Sequence, residues 1–381
     1  MMQCAECKGK GICGLTRCPI VSRFHAQVAI KPSSSYQGNS PSVFIGSFGY
    51  PDVQGGPLLI NDTDNPPDWL AHNLGMDDIV GILARTIRGR SALNAVAGDL
   101  QEIALSPQPL DVDVAFEKPV AFSLNFDGTI APVGFTGSVK TLDIVGNARV
   151  ERVVDRITSD TDIGATDACV ALRESAIDVY RISGLMTAGL LGRRRKFVPT
   201  RWAITAVDDT LSSQLKKEIA RYPPLEEIRL FTGEIFGNRI VYILLPGDWK
   251  YEIIEIWGRH SLWGGEEEVI VQDSEGMKKK EYSPISGAYY SARLATCEYL
   301  AQAKRSVRVL ILRSISSDYW APLGTWVIRE ATRKALTNPP FVRESLTAAV
   351  GQASAILGSD TWVSHSTLIP EIRTQRTLFH F

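Results

Sequence analysis

The sequence predicts an α+β fold of mixed sheets and helices behind a small N-terminal cysteine knuckle. Three observations lead there. Four of the six cysteines fall within the first 18 residues. The second half carries strand-length apolar runs with a hairpin signal. Helical stripes interrupt those runs without the regular strand–helix alternation of a doubly wound sheet. At roughly 150 residues per domain, 381 residues suggest two or three folding units. We place a knuckle at 1–30, an N-terminal α+β region at 31–195, a C-terminal α+β region at 196–357 and a tail at 358–381. With 41 Lys+Arg against 42 Asp+Glu, the net charge of −1 excludes a generally basic nucleic-acid coat and leaves only local patches for such binding. The longest apolar runs, such as Ile240 to Leu245, fall far short of the about 20 residues a membrane-spanning helix needs. The N-terminus MMQCAECKGKG lacks the apolar stretch of a secretory signal, so the expected compartment is the cytoplasm.

Cys4, Cys7, Cys13 and Cys18 follow a C-x2-C-x5-C-x4-C spacing with glycines at 9, 11 and 14. A C-x2-C turn aims two thiolates at one point, and a tetrahedral zinc ion takes four such ligands at about 2.3 Å. Without an oxidising compartment, thiolate ligation is favoured over disulfides. About 20 residues build no core, and structural zinc supplies on the order of 10–16 kcal/mol of folding free energy. The same four sulfurs suit an iron–sulfur cluster, and spacing alone leaves both open. His25 reads as a bystander. Cys169 and Cys297 share helical stripes with apolar residues and read as small core residues.

Residues 31–68 are rich in Pro, Ser, Gly and Asn and read as turns around a short strand at Val43–Ile45. Met76, Ile79, Leu83 and Ile87 predict an amphipathic helix ending near Gly89. The stretch 109–150 reads as short strands broken at Asp127-Gly128 and Gly134, and 151–182 as helical and acidic. Glu234 to Phe236, then Gly237-Asn238, then Arg239 to Leu245 predict a hairpin. Tyr251 to Trp257 predicts a further strand, bulged where the alternation slips at Ile253-Ile254. A helix at 287–303, a strand at Val307–Leu312 and a helix at 325–336 stopping before Pro339-Pro340 follow. From Gly358 the periodic pattern ends.

Three groups of residues carry candidate chemistry. The chain ends Gln375-Arg-Thr-Leu378-Phe379-His-Phe381. A peptide that docks on a sliding clamp uses Gln, an aliphatic residue three positions on, and aromatics six and seven positions on, which a short helical turn gathers into one apolar pocket. Gln375, Leu378 and Phe381 meet the first three requirements, and the chain stops before the second aromatic. A tail folded onto its own core is the alternative. The run 181–202 holds Arg181, Arg193, Arg194, Arg195, Lys196 and Arg201 with no acid. It reads either as a phosphate footprint or as a solvated loop. Asp208, Asp209, Glu234, Glu252 and Glu255 suggest a two-metal nuclease site, against which Asp208-Asp209-Thr210 reads as a helix cap. Arg85, Arg88 and Arg90 with Ser91, and the turn Gly49-Tyr50-Pro51, suggest a phosphate or nucleotide pocket. No P-loop or dinucleotide fingerprint is present.

Taken in order, the cysteine array, VFIGSFGYP, GGPL, VPTRWAITAVDDT (198–210), LFTGEIFGN, GAYYSARLA and YWAPLGTWVIREATRKAL make the chain resemble the archaeal Nre family of DNA-repair proteins across essentially its whole length. The resemblance implies zinc ligands at Cys4, Cys7, Cys13 and Cys18. It also implies a motif for the clamp PCNA at Gln375, Leu378 and Phe381, with Phe379 between them. The expected function is a repair protein recruited to PCNA and engaging DNA or a repair partner. The alternative is an enzyme acting on a nucleotide, ADP-ribose or nucleic acid, with a bound divalent metal or nucleotide and a pocket where Arg85, Arg88, Arg201, Asp208 and Asp209 converge. A structural RNA-associated protein, using the knuckle and the basic loop, is the third reading.

Overall fold

The computed structural model describes residues 7, 10–11, 14–15, 17–28, 30–121, 134–279 and 281–374. The chain divides into two compact units, one of Pro19–Leu211 and one of Met1–Cys18 with Ser212–Phe381. Each is a mixed sheet with helices, the α+β class the sequence predicts.

In the Pro19–Leu211 unit six strands run in the order β1-β5-β6-β4-β3-β2. They are β1 (Ser33–Ser40), β2 (Ser42–Ile45), β3 (Gln54–Leu59), β4 (Ile87–Ala92), β5 (Leu110–Val120) and β6 (Phe135–Val145). All neighbours are antiparallel except β4 and β6. In β5, Leu110, Val112, Val114 and Phe116 are buried while the residues between them are less so, the period-two pattern of a half-covered sheet. Helices Leu93–Leu105 and Val179–Thr187 pack on β2 and against each other, the former also on β3. Helix Pro19–Val28 packs on Met76–Arg85, where the Gln27 side-chain amide donates to the Ala84 carbonyl at 2.7 Å.

Three expectations change here. The helix expected to run to Gly89 stops at Arg85, and Ile87–Ala92 becomes β4. Ile87 falls on the helical stripe by spacing, but its backbone is claimed by the parallel ladder with Phe135 and by Leu59. Residues 31–68 hold three strands rather than one. β1 is polar and exposed because it is an edge strand. β3 contains Gly55-Gly56-Pro57 because the strands crowd: a methyl on Gly56 would lie 2.3 Å from the Gly89 carbonyl oxygen. The short strands expected over 109–150 are two strands of 11 residues each; Asp127-Gly128 lies outside the described residues.

The other unit carries β10-β9-β11-β8-β7-β12. These are β7 (Ile228–Ile235), β8 (Asn238–Leu245), β9 (Lys250–Trp257), β10 (Val269–Glu275), β11 (Arg308–Ile315) and β12 (Phe341–Arg343), antiparallel except for β9 beside β11. The hairpin turns through Phe236 and Gly237, both at positive φ (50° and 70°), the two-residue geometry that matches strand twist. Val241, Ile243, Leu245, Ile254, Ile256, Leu310 and Leu312 form a core with Ala349, Val350 and Ala353 of helix Leu346–Leu357 and with Trp362, Leu368 and Ile369. On the opposite face, Tyr242 hydrogen-bonds Thr296 of helix Ser286–Ala303 at 3.0 Å, and helix Trp326–Thr337 packs on β7 and β8. Burial on both faces explains the near-continuous apolar runs. It also removes the expected bulge: β9 pairs in unbroken register from Lys250 to Trp257 with β11.

Candidate nucleic-acid interface

The β2–β3 connection, Gly46 to Val53, is held by its own backbone. Gly46 N–H donates to Gln54 O at 2.9 Å, Asp52 N–H to Gly49 O at 3.0 Å and Val53 N–H to Pro51 O at 3.0 Å. Gly49 takes φ +79°, a conformation only glycine adopts readily, and the Tyr50-Pro51 peptide is cis. At the β2 end, Ile45 N–H donates to Thr200 Oγ1 at 2.9 Å, fixing the loop to the start of helix Thr200–Ile219. This contact sets the Tyr50 ring beside Trp202, centroids 5.1 Å apart and planes tilted by 58°. Both remain open to solvent, at 46% and 45%, and Phe48 at the loop's tip is 95% exposed. Sequence reasoning passed over Phe48 and Trp202. The available signal was an aromatic inside GSFGYP, a turn with no apolar stripe to receive it, and a second directly after Arg201.

Phe44 on β2 and Arg88 on β4 meet within the same sheet. The Arg88 guanidinium lies 4.6 Å over the Phe44 ring. Burial lowers the Arg88 pKa and neighbouring Arg90 adds to that, while Asp64 opposes both. Asp64 shows the reciprocal: burial raises its pKa, and the hydrogen bond from Ser42 Oγ (2.6 Å) and the Arg88 charge pull it back. Arg88 is therefore a half-buried, charge-balanced residue. Arg85, at the end of its helix, and Arg90 are exposed.

The basic run divides by role. Arg181 donates through Nη1 to Ala104 O at 2.6 Å and to Ser106 O at 2.5 Å, and through Nη2 to Leu105 O, closing the C-terminus of helix Leu93–Leu105. Burial lowers its pKa, with Glu151 opposing. Arg195 does the same for helix Arg152–Ser159, donating to Thr158 O and Asp160 O at 2.6 Å each and to Leu190 O. Arg193 Nε donates to Asp162 O at 2.8 Å. Arg194, Lys196 and Arg201 are exposed. Arg194 and Lys196 lie on the loop and Arg201 in the first turn of the helix, which holds no acid.

The carboxylates do not gather. Asp208 and Asp209 sit inside helix Thr200–Ile219, not before it, so the capping reading is corrected. The helix starts eight residues earlier, and the buried Asp208 takes an interior position there. Glu252 and Glu255, an odd number of residues apart on β9, point to opposite faces. Glu255 pairs with Arg313, which also donates to Asn238 Oδ1 at 2.6 Å. Exposed Glu234 pairs with Arg239 at 2.9 Å. Among the described residues no group of three or more His, Cys, Asp or Glu is placed to hold a metal ion. A cleft of about 470 Å³ opens in the Ser212–Phe381 unit along Tyr251, Glu252, Asp273, Glu275, Lys279 and Tyr282. None of Arg85, Arg88, Arg201, Asp208 or Asp209 lines it. In its wall the buried Glu275 accepts from Lys216 at 2.8 Å and from Arg293 at 2.7 Å.

Residues 12–264 match the family model described as archaeal Nre, N-terminal, and residues 274–381 the one described as archaeal Nre, C-terminal. The chain belongs to the archaeal Nre family. It is 34% identical over 376 residues, 95% of either chain, to a protein named DNA repair protein NreA of Archaeoglobus fulgidus. It is 35% identical over 399 aligned positions, the whole of both chains, to DNA repair protein NreB of the same organism. To DNA repair protein NreA of Haloferax volcanii it is 30% identical over 86% of this chain and 84% of that one. No solved structure matches. The first Nre match ends at 264, before β10, and the second begins at 274, inside β10, a strand that pairs along its whole length with β9.

The two features the Nre resemblance implies lie at the ends of the chain. Cys7 is buried and Cys18 half-buried; Cys4 and Cys13 lie outside the described residues. Among the described residues there, Lys10 N–H donates to Cys7 O at 2.8 Å, Gly14 N–H to Gly11 O at 3.3 Å, and Gly11 and Gly14 have positive φ. A thiolate set on such turns suits zinc in donor type. His260 also packs there, its Nδ1 3.0 Å from where a Gly14 methyl would stand. At the other end Gln375, Leu378, Phe379 and Phe381 lie outside the described residues, and the chain up to Thr374 is folded. Trp362 is buried in the sheet core, and Glu252 accepts hydrogen bonds from Ser366 Oγ (2.5 Å), Thr367 N–H (2.6 Å), Thr367 Oγ1 (2.7 Å) and Leu368 N–H (3.3 Å). A buried carboxylate thus caps helix Leu368–Thr374 and anchors this segment to β9. No helix among the described residues is long and apolar enough to cross a membrane.

Proposed function

We propose that this Nre chain is a DNA-repair protein that engages DNA through its Pro19–Leu211 unit, is held at the sliding clamp PCNA by Gln375, Leu378, Phe379 and Phe381, and carries a structural zinc on Cys4, Cys7, Cys13 and Cys18. End-to-end likeness to proteins named for DNA repair supports the role. The observation that carries the DNA contact is the string of exposed cations, Arg194, Lys196 and Arg201, running along one chain segment to the exposed Trp202. In a chain of net charge −1, such a string is the local patch a phosphate backbone requires. Arg193, Arg195 and Arg88 contribute the framework, because their guanidiniums are already engaged. The clamp reading rests on the spacing of the last seven residues and on the anchoring of the helix that precedes them in the chain.

The test is DNA binding by fluorescence anisotropy at several salt concentrations. Each lost phosphate contact flattens the dependence of log K on log salt by roughly 0.7–0.9. Arg194→Glu with Arg201→Glu is expected to weaken binding and to reduce the slope by about 1.4–1.8. An unchanged affinity and slope would reject this surface as the DNA contact.

A further inference from the structure

We propose that the Gly46–Val53 loop and Trp202 form a stacking platform for unpaired bases, so that the DNA this protein takes is single-stranded or locally opened rather than intact duplex. The inference rests on the DNA-engaging reading above and names the substrate class of that surface. Phe48 projects almost its whole side chain into water from a loop closed by three backbone hydrogen bonds and tied by Ile45 to Thr200. The ring is held out by the backbone, and the loop is fixed against collapsing over it. Tyr50, two residues further along the same loop, pairs with Trp202 as a second aromatic surface, the two half-exposed and 5.1 Å apart. Arg201 adjoins Trp202, while Asp52 is the loop's one acid. Rigid open aromatics next to an arginine are what a flexible strand needs: each base offers a π-face to a ring, and the backbone between bases meets a cation. Duplex DNA hides those faces inside the stack, where exposed rings reach them only after opening. An aromatic surface made for another protein would carry no dependence on bases.

The experiment uses the full chain with fluorescein-labelled oligothymidine, an abasic strand of equal length, and a duplex. Oligothymidine should bind at least about ten-fold more tightly than the abasic strand, which has the same phosphates. Phe48→Ala and Trp202→Ala should each weaken oligothymidine binding by about 5- to 150-fold. Phe48→Ala should leave duplex affinity and the salt slope unchanged, and Trp202→Phe should restore most of the loss at that position. Because Phe48 is 95% exposed, its replacement leaves the melting temperature unaltered, separating lost stacking from lost fold. Equal binding of abasic strand and oligothymidine, or a neutral Phe48→Ala, would overturn the platform while DNA engagement stands. Failure of the unmodified chain to bind any of the three would overturn the underlying reading as well.

Discussion

Glu252→Gln is expected to release the C-terminal segment. The carboxylate is fully buried and takes four hydrogen bonds from Ser366, Thr367 and Leu368, between 2.5 and 3.3 Å. A hydrogen bond to a charged group contributes about 1.5–3 kcal/mol. Glutamine keeps one acceptor oxygen, so the Thr367 pair survives in neutral form. The amide nitrogen then faces the Leu368 N–H, donor against donor. Losing that bond and the charge assistance costs about 2–4 kcal/mol. Opening residues 366–374 also exposes Leu368 and Ile369, at about 1.5–3 kcal/mol each, so in the unmodified protein the segment stays closed. Hydrogen exchange followed by mass spectrometry over 366–374 reads the change directly. Exchange there should accelerate by roughly 30- to 1,000-fold, while the Pro19–Leu211 unit keeps its rates. Acceleration below three-fold would show that the Leu368 and Ile369 burial, and not the carboxylate, holds the segment.

Glu275→Gln leaves Lys216 and Arg293 buried without their shared anion. Breaking a buried pair costs about 3–5 kcal/mol, so calorimetry should show a transition lowered by about 6–20 °C, and a fall under 2 °C would contradict the network. Burial pushes the Cys169 and Cys297 thiols up to about 12. Both should hold their protons at pH 8 and resist iodoacetamide in the native protein, with reactivity gained only as pH approaches that value. The N-terminal cysteines should react only after chelation, and metal analysis should find one zinc per chain. Labelling of Cys297 in the native state would contradict its burial, and chelator-independent labelling of Cys7 would contradict the knuckle.

The strands and helices of the second half were legible because both sheet faces are covered: β8 and β9 read as strands from apolar content alone, and the β7–β8 turn from Gly237. The same double coverage misled the alternation argument at Ile253-Ile254, where a regular strand resembles a bulged one. The first half resisted for the opposite reason. β1 is polar at an edge, and β3 spends its sequence on Gly55-Gly56-Pro57 because Gly89 approaches too closely for side chains. Ile87 fitted a helical period that tertiary pairing overruled. At the site, spacing identified the basic run without telling which guanidiniums were engaged. Arg181 and Arg195 close helix ends that lie 35 or more residues away in sequence, and no local pattern announces such a partner. Phe48 and Trp202 carried no periodic signal, because exposed aromatics belong to no stripe.

Recruitment through the C-terminal motif decides where the chain works. Calorimetric titration of PCNA with the full chain and with a chain ending at Thr374 tests that directly. Because residues up to 374 are anchored by Glu252 and the sheet core, truncation leaves the fold and its melting temperature intact. The full chain should bind the clamp and the truncated chain should not; equal binding by both would contradict the account.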